Sequence, residues 1–407
     1  MAKGALTGSR VADFSWVIAG PMATKALAGM GAEVIKIESH VRPEFVHRDP
    51  LFDVVNNSKK SVALDLARPE AREIVEQIIA RSDILVENFS AGVMGRWGLD
   101  YESVRKIRPD IIYVSGSGVG REGPQRDVLA YGSLLEAFSG RANLVCRGAI
   151  NSRMEAMGIM PAWTDPATAM WEVFAILLAV HNRHQTGEGA FIDLSMIEST
   201  IALFSQSLIA HQSGQAVSEP GLNQEHGAAP SGCFRCGADD EWLALSICSD
   251  AEWRTFCSVI GQPHLTDDPR FQSQQQRVAA LAELNAIIAK CLSAADIDEL
   301  EQKLRSAGVN ASRSRNMADI MADPVVEASG VFQQQGLSHR TTSLPWVEAD
   351  GWRGEFLPAP RLGEHSLEIL RDLLAVNDDR IARLHQDGAV YAAALAECSA
   401  VAEAGVA

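Results

Sequence analysis

In this chain of 407 residues, the residue whose type and setting could do chemistry is Asp165. It lies in Met160-Pro-Ala-Trp-Thr-Asp-Pro-Ala-Thr-Ala-Met170, immediately before a proline and an apolar run that continues through Val180. That pattern opens a helix, with Asp165 as the N-cap and Pro166 at the first helical position. Two roles fit the carboxylate. It caps free backbone N–H groups, or it is a nucleophile held at a helix mouth and kept ionised by the N-terminal dipole. The segment alone leaves both open.

Other chemistry-bearing patterns are weaker. Gly116-Ser-Gly-Val-Gly120 lacks the G-x-G-x-x-G spacing and leads into polar Arg121-Glu-Gly-Pro124, so it reads as a plain turn. No Walker-type phosphate loop is present. Cys233-x-x-Cys236 has no second C-x-x-C and no paired histidines to complete a zinc site. His226 and His365 read as structural or substrate-adjacent, so no metal is expected. Arg42, Arg48, Lys59, Lys60 and Arg96 each read as surface charges; gathered on one edge they would suit a polyphosphate.

The elements that must position these residues alternate from Arg10 onward. Strands are expected at 11–14, 33–37, 61–65, 83–87, 111–115 and 191–194. Helices are expected at 20–31, 69–80, 101–106, 166–184 and 197–210, with 38–57 an aperiodic loop. Short apolar strands separated by helices mean βαβ units and a parallel, doubly wound sheet. Such sheets bind ligands beyond the carboxyl ends of their strands, here 15–21, 38–48, 87–96 and 116–124. Residues 1–210 are expected to form this large domain. A linker at 211–231 leads to a small α+β domain at 232–322, with a hairpin at 232–245 and helices at 251–259, 278–292 and 297–306. A connector at 323–358 and a C-terminal segment at 359–407, with a helix at 366–375, follow.

Composition is that of an ordinary globular chain, 47% apolar and 22% charged. The net charge of −16 opposes nucleic acid and anionic membranes. Any phosphate-bearing ligand must therefore be drawn by a local basic cluster. The apolar run 173–180 is too short to span a bilayer, no secretory signal opens the chain, and the seven cysteines are odd in number and scattered. A cytoplasmic location with reduced thiols is the expectation.

Five segments together resemble the class III CoA-transferase family, which includes formyl-CoA and carnitine CoA-transferases and the related α-methylacyl-CoA racemases. They are Phe14-Ser-Trp-Val-Ile-Ala-Gly-Pro21, Gly31-Ala-Glu-Val-Ile-Lys-Ile-Glu38, Glu87-Asn-Phe89 with Gly95-Arg96, Gly187-Glu-Gly-Ala-Phe-Ile-Asp-Leu-Ser195, and Ala359-Pro-Arg-Leu-Gly-Glu-His365. The resemblance runs in order over nearly the whole chain. It implies a Rossmann-like large domain completed by the C-terminal segment, a small domain, and a dimer of two interlocked rings. It places the family's catalytic aspartate on Asp165, with an aspartyl–acyl anhydride and an aspartyl-CoA thioester as intermediates. Acyl-CoA and a carboxylic acid are then the substrates, with succinyl-CoA a common donor, and no cofactor is required.

CoA contacts carry over to Val17, Ile18, Ala19, Leu64, Leu66, Asn88, Phe89 and Arg96. The chain departs from formyl-CoA transferase in three places. Ile18 replaces a glutamine, Ser39 replaces an arginine, and only Gly227 and Gly232 remain of a glycine loop. The departures imply a larger, more apolar acid. The racemase branch carries a histidine where Tyr131 stands in Leu129-Ala-Tyr-Gly132, and a phenol of pKa near 10 is a poor substitute for that base. Transferase is therefore the reading over racemase. A fainter likeness to heteromeric benzylsuccinate CoA-transferases leaves two partners open, a second copy or a homologous subunit.

Overall fold

A computed structural model describes residues 4–44, 50–128, 131–142, 163–214, 227–237, 240–334 and 340–396. These residues divide into two compact units, one drawn from 4–142, 163–206 and 329–396, the other from 207–328.

The first unit is built on a seven-stranded sheet. β1 (Arg10–Asp13), β2 (Glu33–Glu38), β3 (Lys59–Leu64), β4 (Ile84–Glu87), β5 (Ile112–Ser117) and β6 (Ala190–Ser195) run parallel in the order 3-2-1-4-5-6. A two-residue strand, Val390–Tyr391, closes the β3 edge antiparallel, pairing Val390 with Leu64. Side chains alternate between two buried faces, as a parallel sheet covered on both sides requires. Ala12, Ile35, Val62 and Leu85 pack with Ile74, Ile78 and Val104, and with Leu370 and Leu384 of the C-terminal segment. Their neighbours Val11, Val34, Ile84 and Ile112 pack with Leu27, Ile176 and Val180 on the other face.

The helices of this unit ahead of its C-terminal segment include α1 (Ala19–Gly29), α2 (Pro50–Val55), α3 (Pro69–Ile79), α4 (Val93–Arg96), α5 (Tyr101–Ile107), α6 (Gly132–Phe138), α7 (Thr164–Thr186) and α8 (Met196–Ala202). α7 is stopped by Gly187, left-handed at φ 76°, whose N–H returns to Arg183 O at 2.8 Å. Three expectations are corrected. The 38–57 stretch holds α2, because Phe52 and Val55 are buried and give a short turn an apolar anchor. The helix expected at 197–210 breaks after Ala202 and resumes as α9 (Ser205–Gln212). The helix expected at 366–375 is three residues of α-helix followed by a π turn, Ile369–Leu373.

The second unit carries an antiparallel sheet of β7 (Ser231–Arg235), β8 (Trp242–Ser246) and β9 (Ala311–Arg313), in that order. Helices Asp250–Val259, Leu281–Leu292 and Ile297–Ser306 cover it, burying Trp253, Phe256, Leu284, Ile288 and Leu304. Among the described residues no helix is long and apolar enough to cross a membrane.

Candidate active site

The carboxyl ends of β1, β2, β4 and β5 open into one groove of about 880 Å³. All four loops that follow those strands line it. Val17, Ile18, Ala19, Arg42, Leu64, Leu66, Asn88, Phe89, Arg96, Tyr131 and Asp165 all lie on its wall. Of the residues singled out from the sequence for this site, Arg48 falls outside the described residues, as does His226.

The tip of β1 is set by a buried ion network. Asp13 accepts from Ser15 N–H at 2.9 Å and Thr24 Oγ1 at 2.7 Å, and it faces Lys59 Nζ at 2.9 Å. Burial alone would lift the Asp13 carboxyl, but Lys59 and Lys36 outweigh it and hold the group below its ordinary range. Lys36 Nζ donates to Ser15 O at 2.8 Å and stands 3.4 Å from Glu44. Glu44 in turn accepts the N–H of Val17. Val17 is left-handed at φ 70°, a conformation that costs a β-branched residue on the order of 1–3 kcal/mol and is held by its surroundings. Asn88 ties the β4 loop to this turn, accepting Trp16 N–H and donating to Trp16 O, each at 2.8 Å.

Lys59 and Lys60 are not available to a polyphosphate. Both belong to β3 rather than to a loop. Lys59 is fully buried on Asp13, Pro21 O and Asn56, with burial pulling its ammonium down to about 8. Lys60 is paired with Glu33 and Glu368 at 2.7 and 2.6 Å. Arg42 and Arg96 remain on the groove, both exposed.

Asp165 is inside the first turn of α7, not at its N-cap. The N-cap position is Trp163, and no side chain caps the helix. Trp163 N–H instead donates to Glu136 Oε1 at 2.6 Å. Asp165 is 7% exposed. Burial lifts its carboxyl from 3.8 to about 6, Glu136 adds to the rise, and Asp165's own N–H opposes it. Desolvation thus outweighs the helix dipole. Even so, the ionised form prevails about tenfold at pH 7.

Three groups on the groove escape sequence reasoning. Arg121 reaches back to Ser115 Oγ at 2.6 Å, Phe89 O at 2.7 Å and Glu87 at 2.8 Å, fixing the β4 and β5 tips together. Trp16 and Trp97 flank Phe89, which the sequence did assign to the site, in an edge-to-face series with centroids 5.4 and 5.5 Å apart. Glu172, fully buried on α7, lines the same groove. Its signal was present: it is the only acidic residue between Asp165 and Glu188, inside an apolar run. Gly116 is more than a turn residue, since a Cβ there would stand 2.5 Å from Glu172 Oε1.

Cys233 and Cys236 are not joined in a disulfide. His365 docks on β3, exchanging bonds with Ser61 at 3.0 and 3.2 Å. Among the described residues no cluster of three His, Cys, Asp or Glu could hold a metal.

A family model described as CoA-transferase family III matches residues 6–366. A succinyl-CoA–D-citramalate CoA-transferase of Chloroflexus aurantiacus is 29% identical over 92% of this chain and 95% of its own. A human succinyl-CoA:glutarate CoA-transferase is 29% identical over 95% of this chain and 90% of its own. A succinyl-CoA–L-malate CoA-transferase beta subunit of Chloroflexus aurantiacus is 28% identical over 92% and 96%. The crystal structure of a CAIB/BAIF family protein from Brucella suis superposes with a TM-score of 0.83 at 28% identity, covering 91% of this chain and all of that one.

Proposed function

The chain belongs to CoA-transferase family III, and from that premise we propose that it passes coenzyme A between two carboxylic acids with Asp165 as the covalent relay. The observation that carries this reading is a 93%-hidden carboxylate, 7% exposed, on the wall of a groove formed by the strand ends.

An Asp165 oxygen attacks the thioester carbonyl of the donor, and collapse of the tetrahedral adduct expels CoA thiolate and leaves a mixed anhydride. The thiolate then attacks the Asp165 carbonyl, releasing the donor acid and leaving an aspartyl-CoA thioester. An incoming carboxylate reverses both steps. Each exchange trades one activated acyl bond for another, so no step is far uphill. A carboxyl poised at about 6 is ionised at neutral pH, yet more basic than an exposed aspartate and so a better nucleophile. The relay draws on no metal and no redox cofactor.

Succinyl-CoA is taken as donor because three relatives named above carry it in their names. Ile18 and Ser39, which stand where formyl-CoA transferase has a glutamine and an arginine, support an acceptor larger and more apolar than oxalate. The partner is taken as a second copy of the chain, with an interlocked arrangement. Met170, Phe174 and Leu178 are 74%, 54% and 54% exposed along one side of α7, an apolar stripe suited to burial against another chain. The beta-subunit name of one relative keeps a homologous partner as the second reading.

The test is CoA transfer from succinyl-CoA to a panel of acids, D-citramalate, glutarate, L-malate and larger apolar acids among them, read by product mass. Transfer to at least one acid is expected. Failure with every acid, or solvent deuterium entering the acyl α-carbon without exchange, would reject the transferase in favour of a racemase.

A further inference from the structure

Glu172 has no part in the relay, yet it is fully buried and neither of its oxygens has a hydrogen-bond partner among the described residues. An unpartnered buried acid is expensive, and such a group persists where a ligand completes it. Glu172 follows Asp165 by seven positions on α7, which sets both on one face of the helix. Their Cα atoms are then ~10.5 Å apart along the axis. A glutamate side chain leaning toward the N-terminus spans part of that gap.

The fold makes room for this carboxyl. The bare Cα of Gly116 admits Oε1 at the end of β5, and the neighbouring Ser117 Oγ also lacks a partner. The nearby charges are acidic: Asp13, Glu87 and Asp165. Their counter-ions are taken, with Lys59 on Asp13 and Arg121 on Glu87. Five further titratable groups sit on elements packed against α7, one of them Tyr113 on β5, whose hydroxyl donates to Leu99 O. Lys25 on α1 donates to Thr341, Glu136 on α6 holds Arg141, Asp193 on β6 takes the Arg121 N–H, and Glu198 lies on α8. None of them gives Glu172 a cation. Burial first, and those three acids next, push its carboxyl up to about 8.

We propose that Glu172, as a neutral carboxylic acid, donates its O–H to the thioester carbonyl oxygen while Asp165 attacks the carbonyl carbon. The inference rests on Asp165 being the relay nucleophile. As the Asp165 oxygen bonds to carbon, the carbonyl π pair moves onto oxygen, where the Glu172 hydrogen bond holds it. No proton is transferred. When the adduct collapses, that pair re-forms C=O and the C–S pair leaves with CoA thiolate. A donor placed in advance where charge develops is the arrangement that stabilises such adducts most.

The test compares wild type, Glu172→Gln and Glu172→Leu with succinyl-CoA as probe, from about pH 5 to about pH 10. It follows turnover and the hydroxylamine-trapped adduct on the Asp165 peptide. Glu172→Leu, which has no donor, should lose ~10²-fold in kcat while the KM for succinyl-CoA stays within about threefold. Glu172→Gln keeps a donor that does not titrate, so it should lose less than about tenfold and lack the alkaline fall near 8 expected of wild type. A Leu variant as fast as wild type, or a Gln variant with the wild-type alkaline limb, would overturn the role. If Glu172→Leu does not fold, the pH profile of Glu172→Gln decides alone. A wild-type adduct that forms equally fast in Glu172→Leu removes only Glu172. Wild-type turnover with no Asp165 adduct removes the relay and this inference together.

Discussion

Lys59 Nζ stands 2.9 Å from Asp13 Oδ2, and both side chains are wholly out of solvent. The pair joins the first residue of β3 to the tip of β1, and the site loop from Trp16 to Ala19 springs from that tip. Removing one partner leaves a buried charge with less to hold it, an effect of about 3–5 kcal/mol. Lys59→Met should therefore lower the free energy of unfolding in urea by about that amount. A loss under about 1 kcal/mol would show that Lys36 alone suffices for Asp13.

Asp165→Asn should be more stable than wild type at pH 8, not less. The folded carboxyl titrates near 6 against an ordinary 3.8. Its ionised form is thus disfavoured by folding. Stability from this group is complete below the ordinary value and is lost as pH rises through about 6, reaching about 3 kcal/mol. Thermal melts at pH 8 and pH 3 check the sign, with a gain for the variant only at the higher pH. A variant that melts lower at pH 8 would restore the capping role that the absent side-chain cap argues against.

Arg96, Arg42 and Arg126 are the exposed guanidinium groups left on the groove, now that Lys59 and Lys60 are committed elsewhere. Arg96→Ala should raise the KM for an acyl-CoA by roughly tenfold, with kcat little changed and with a shallower dependence on salt. The same measurement with acyl-pantetheine, which lacks the nucleotide phosphates, should show no such penalty. An equal penalty for both would place Arg96 away from the phosphates.

Phe174→Glu puts a charge in the middle of the exposed apolar stripe on α7. If that stripe is covered by a second copy, the variant should run at half the wild-type mass in light scattering, or fall out of solution. An unchanged mass would move the contact to another face.

Much of the fold was legible because parallel strands buried on both faces read as short apolar runs between helices, and β1 through β6 do. The strand-end loops followed from that topology, and they carried Val17, Asn88, Phe89 and Arg96 to one groove. What escaped depends on distant partners. The two-residue strand Val390–Tyr391 has no pattern of its own and exists through β3. Lys59 looked like a surface charge because nothing local reveals that Asp13, 46 positions away, would bury it. Asp165 was misplaced by two positions because Asp before Pro imitates an N-cap, while the helix begins at Thr164. Glu172 was passed over as one acid in an apolar helix, since its meaning depends on Gly116 lying opposite.

The most direct measurement is the mass of the peptide carrying Asp165 after the enzyme meets succinyl-CoA without an acceptor and is quenched with hydroxylamine. The account predicts a hydroxamate on Asp165, absent from Asp165→Asn. Normal CoA transfer between acids with that peptide unmodified throughout would contradict it.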